Sequence, residues 1–116
     1  MSTITVTNIK ATGETASRSA TGVAAAWCRF DGTGTIAITS SLNTASLTDV
    51  GTGDYTINLT TALDANDGAH LFSSSNFHSG RSASGSASTI RVFVANSSHN
   101  LADNNFVVGA TFGDLA

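Results

Sequence analysis

Apolar residues recur at every second position in several short stretches, and no stretch holds the three-to-four spacing of a helix face. In "AAAWCRFD", Ala26, Cys28 and Phe30 share one side of an extended chain, and Trp27 and Arg29 share the other. "TIAITSSLN" puts Ile36, Ile38, Ser40 and Leu42 on one side, opposite Ala37, Thr39 and Ser41. "ASLTDV" is a short strand. "GTGDYTINLTT" sets Tyr55, Ile57 and Leu59 against Thr56, Asn58 and Thr60. "HLFSSS" and "TIRVFVAN" are further strands, the latter with Ile90, Val92 and Val94 opposite Arg91 and Phe93. "NNFVVGATF" is apolar on both sides, as expected of a central strand or one covered by a partner.

Glycines punctuate this alternation. Gly32 and Gly34, then Gly51 and Gly53, each stand directly before an alternating run. They supply positive φ or close backbone approach at turns. Asp49 and Asp54 flank the second pair as turn residues do. Two successive hairpins follow, arranged as a meander. "ALDANDGAH", Ala62 to His70, is a loop with Asx turn chemistry that can open with one helical turn. Ser74 to Ser88 is rich in Ser and Gly and reads as a flexible loop between strands. At the other end, residues 1–9 alternate at Ile4 and Val6, as a short strand or extended arm. Residues 10–22 are polar and aperiodic, as a linker is.

The expectation is therefore an all-β chain: an antiparallel β-sandwich or flattened barrel of about six to eight short strands with an N-terminal extended arm. Residues 1–22 form the arm, for attachment or subunit exchange, and 23–116 one domain. Composition agrees. Only 11% of the 116 residues are charged and 41% are hydrophobic. Polar surface built from Ser and Thr suits strands better than helices. With no proline and little charge, edge protection falls to pairing with another subunit.

Charge and motifs narrow the function. The net charge is −3, and Lys10, Arg18, Arg29, Arg81 and Arg91 do not cluster, which argues against nucleic acid. No run approaches the roughly 20 apolar residues of a spanning helix, so no membrane insertion is expected. The N-terminus lacks the basic-then-apolar pattern of a secretory leader, so folding in a cytoplasm is expected. Cys28, the only cysteine, reads as a small buried hydrophobe. Ser is so abundant that a chance triad with the three His and the Asp residues is nearly certain, and the nucleophile elbow is absent, so no catalytic residue is assigned. "DANDG" misses the calcium-loop spacing. His70, His78 and His99 lack zinc spacing and would meet only through subunit symmetry. No metal and no cofactor are expected. Phe77, His78 and Arg81, set among Ser and Gly, are the candidate ligand contacts.

"AWCRFDGTGTIAI" followed by "SLTDVGTGDYTINLTTALDAN" resembles a module of tailed-bacteriophage virion proteins of the tail-fibre and head-fibre type. The resemblance is carried by Ala26, Trp27, Phe30, Gly32 to Thr35, Ser46 to Asp49, Gly51 and Gly53 to Ala62. The closing strands extend it over about Ala25 to Gly113. One departure is Leu63, where relatives usually carry a proline. The resemblance implies a non-enzymatic virion structural protein: an exposed homotrimeric fibre, spike or short appendage. Residues 1–22 would contact other virion proteins, and a host-surface glycan or protein would be the ligand. A capsid decoration or cement protein is the alternative it implies.

Overall fold

The computed structural model describes residues 1–10, 12–19, 22–64, 68–75 and 81–116. Among these the regular elements are all strands. A two-residue pair, β1 (Asn8–Ile9) with β2 (Arg18–Ser19), lies within the arm. Eight longer strands follow: β3 (Ala24–Asp31), β4 (Ala37–Leu42), β5 (Thr44–Gly51), β6 (Asp54–Leu59), β7 (Ala69–Ser74), β8 (Arg81–Ser86), β9 (Thr89–Phe93) and β10 (Val107–Phe112). They form two antiparallel four-stranded sheets. The front sheet runs β4-β3-β10-β7 and the back sheet β5-β6-β9-β8. The molecule is a sandwich and not a closed barrel.

Alternation explains how the sheets stack. Cys28, Phe30 and Val107 of the front sheet face Tyr55, Ile57, Ile90 and Val92 of the back sheet, all buried. The Phe30 and Tyr55 rings meet edge-on across the gap, 5.2 Å apart at 72°, which contributes about 0.5–1.5 kcal/mol beyond area burial. Cys28 is buried as expected, and desolvation pushes its thiol up to about 11 against a weaker opposing hydrogen bond from Thr44.

Both hairpins form, β3–β4 through residues 32–36 and β5–β6 through Thr52 and Gly53. The meander does not. β4 ends the front sheet and β5 begins the edge of the back sheet. The corner is Asn43, which adopts φ 54°, a left-handed conformation that asparagine tolerates. Its amide donates to the carbonyls of Ala25 (3.2 Å) and Thr61 (3.0 Å), and its Oδ1 accepts from the Thr61 N–H (2.7 Å).

Three further expectations are corrected. A bulge opposite Arg29 and Phe30 pairs them with Ser40 and Ile38, leaving Thr39 extra. One inserted residue reverses facing, so Ile38 lies on Phe30's side and Leu42 on Trp27's, not together. The Ser/Gly stretch is not loop throughout, because Arg81–Ser86 is a strand on β9. Its backbone pairs along β9, which its Ser- and Gly-rich composition does not announce. Leu63 opens no helical turn: it is buried and bridges Leu115. The doubly apolar β10 proves central, between β3 and β7.

Candidate interaction surface

The two glycine repeats converge on one end of the sandwich. There the segment between β9 and β10 crosses back from the rear sheet to the front. Gly32 N–H donates to the Asn104 carbonyl (2.8 Å), and Gly53 N–H to Asp103 Oδ1 (2.8 Å). The Tyr55 hydroxyl lies 2.9 Å from both the Gly32 carbonyl and Asp103 Oδ1. Burial, then the Asp103 carboxylate, holds the phenol well above its usual range. Asn104 is buried; its Oδ1 accepts from Ser75 Oγ (2.9 Å) and the Phe106 N–H (2.8 Å). A Cβ on Gly32 would overlap the Tyr55 hydroxyl. One on Gly53, at φ 63°, would meet the Val94 carbonyl and the Ala102 N–H. Gly34 has φ 56° and open space around it. Gly51 has neither positive φ nor a close neighbour, so its expected turn role is not found. This end is a structural joint, with the Tyr55 hydroxyl, Asp103 Oδ1 and Asn104 Oδ1 all bound within the protein.

The described histidines are dispersed. His70 Nδ1 lies 2.8 Å from Thr111 Oγ1, where burial lowers the imidazole pKa. His99, at φ 65°, stands in the turn ordered by Asn96, whose Oδ1 accepts from the Ser98 and Asn100 N–H groups. Among the described residues no three His, Cys, Asp or Glu side chains lie together as metal ligands would. Of the candidate contacts, Phe77 and His78 lie outside the described residues. Arg81 begins β8, its backbone paired with Phe93.

The feature that stands out is the outward side of the front sheet. Leu42, Trp27, Ala110 and Leu71 are consecutive cross-strand partners, one from each strand. They make an apolar row from edge to edge. Leu71 is 67% exposed, Leu42 48% and Trp27 37%. Beside the row a shallow groove of about 450 Å³ runs along β7 and β10, lined by Trp27, Leu71, Ser73, Val108 and Ala110. Gly109 permits this geometry, because a Cβ there would overlap the Phe72 ring that packs under it. The next row reads Ser40, Arg29, Val108 and Ser73. Its one charge, Arg29, lies over the Phe106 ring at 4.5 Å.

Alternation in the sequence shows that Trp27 faces opposite to its core neighbours Cys28 and Phe30. It does not show that Trp27 shares a row with Leu42, Ala110 and Leu71, since register across four strands is invisible in a single chain. Nor does it mark Asp103 and Asn104, which lie far along the chain from Gly53 and Gly32, the turn residues they hold. Set against protein-family models, curated proteins and solved structures, the chain matches none.

Proposed function

We propose that this protein is a non-enzymatic structural component of a tailed-bacteriophage particle, a self-assembling, trimer-forming appendage in its simplest form: three copies packed through their front sheets. The observation that carries the reading is the uncovered apolar row Leu42–Trp27–Ala110–Leu71. A side of a sheet this apolar favours burial against protein, since exposed patches of the kind mark interaction sites. The residues behind the resemblance support a structural role too. Gly32, Gly53 and Tyr55 knit the sandwich end together and present no reactive group to solvent.

Light scattering coupled to size exclusion tests the assembly. The expected mass is three times that of the chain, and a stable monomer at micromolar concentration defeats it. Replacing the segment from Phe77 to Arg81 tests the host-contact role, with lost adsorption to host cells expected. The capsid-decoration alternative draws support from the exposed apolar residues of the arm. It predicts that deleting residues 1–22 abolishes capsid binding while the remaining domain stays folded.

A further inference from the structure

The two ends of the front sheet's apolar row are unlike. At the β4 end stands Leu42, an apolar side chain 48% exposed. Ala37 to Ser40 on the same strand are exposed as well, and β4 holds no charged residue. At the other end the surface is hollow. The groove there is lined by Leu71, Ser73, Val108 and Ala110, with Trp27 on the side towards β4. Leu42 lies outside it, three strands from Leu71. One end offers a side chain and the other a place for one. Neither β4 nor the groove lining carries a charge, so joining them desolvates no ionised side chain.

Arg29 decides between the two ways of joining them. Two copies laid flat and reversed would each put Leu42 over the other's groove. They would also press the middle strands together and enclose Arg29, on β3, beside its counterpart. Among the described residues Arg29 has the Phe106 ring for a partner and no carboxylate. Two enclosed guanidinium groups without a counter-charge oppose that arrangement. A contact of unlike ends around a ring covers both ends of the row and leaves the middle strand open to water.

We infer that the copies meet head to tail: Leu42 of one seats in the β7–β10 groove of the next, against Leu71 and Val108. Such a contact joins two different patches, and where the rotation closes it makes a ring, the form that three copies need. No main-chain pairing between copies is required. The inference rests on the self-assembly proposed above and specifies how the copies meet.

The test uses full-length chains. Leu42→Glu should weaken assembly about tenfold or more, as loss of a buried anchor does, by light scattering across a dilution series. The thermal midpoint of the dilute chain should not change. Leu42→Cys with Ser73→Cys in one chain supplies the second readout. Within a chain the two sites are three strand spacings apart, about 14 Å, beyond the roughly 7 Å that a disulfide spans. Oxidation of the assembled chain should therefore link copies, and a denaturing non-reducing gel should show bands up to three chains and none above. Bands that stop at two chains mean reciprocal two-fold packing, and bands that run past three mean an open fibre; either overturns the ring. If the chain assembles but neither cross-links nor responds to Leu42→Glu, the head-to-tail contact fails while assembly through the sheet stands. If the unaltered chain is monomeric throughout, both fail.

Discussion

The outward sides of the two sheets follow the same alternation and carry opposite chemistry. Across the back sheet, Thr48, Thr56 and Arg91 are cross-strand partners, as are Ser46, Asn58 and Thr89. Asn58 Nδ2 donates to Ser46 Oγ (3.0 Å) and Thr48 Oγ1 (3.1 Å), and Arg91 pairs with Asp54 through two bonds of 2.9 and 2.6 Å. That side satisfies itself and water. Across the front sheet the corresponding positions hold Leu42, Trp27, Ala110 and Leu71. Antiparallel sheets commonly keep one side wet, and this chain applies that rule to one sheet alone. A sandwich can thus be complete in its core and still unfinished at its surface.

The comparison breaks most severely if the sheets are unhinged. Gly53→Ala forces a Cβ into the Val94 carbonyl and Ala102 N–H at positive φ. It should cost about 2–4 kcal/mol, with both sheets lost in one transition when denaturant unfolding is followed by tryptophan fluorescence and circular dichroism. Two separate transitions would mean the sheets are not one cooperative unit.

Next in size is the front surface itself. Trp27→Glu with Leu71→Glu should weaken self-association about a hundredfold, roughly 2.7 kcal/mol, read by sedimentation at several concentrations. Thr56→Glu on the back sheet is the matched control and should leave the mass unchanged. Equal effects from both would remove the distinction between the two sides.

Tyr55→Phe probes the joint that both sheets share. It deletes one hydroxyl and leaves Asp103 and the Gly32 carbonyl without that donor, for a loss of about 1–3 kcal/mol in urea unfolding. Assembly of the folded fraction should not change.

The smallest effects are protonic and separate the sheets by pH. On the back sheet, the hydrogen bond from Arg91 lowers the Asp54 pKa. Its stabilisation is therefore present above the unfolded value near 3.9 and is lost as pH falls through the lower folded value. On the front sheet, burial lowers the His70 pKa. The unfolded chain then binds the proton more readily, so stability declines as pH drops below about 6.5 and levels off below the folded value. Asp54→Asn should remove the acidic step and His70→Gln the one nearer neutrality, each followed by thermal melts across pH.

Much of the fold was legible because alternation and glycine placement are local. Cys28, Phe30, Tyr55, Ile57, Ile90 and Val92 could be assigned to the core from period alone, and the two hairpins from their glycines. Arg81–Ser86 was not legible, because its strand depends on the edge of β9 and not on its own composition. The opposite facing of Ile38 and Leu42 was hidden by the bulge at Thr39, which no residue type announces. The apolar row was legible only at Trp27, which could be read as opposite to Cys28 and Phe30; the facing of Leu42 and the alignment of the four were not.

By itself the sequence determined the class of fold, most of the inward residues and the two hairpins, since these follow from side-chain period and backbone freedom within a few residues. Tertiary structure alone decided that the two hairpins belong to different sheets, that Asp103 and Asn104 fasten their turns, and that Leu42, Trp27, Ala110 and Leu71 line up. Those outcomes depend on pairing between strands far apart in the chain, where register and packing between sheets select one arrangement among many with the same local pattern.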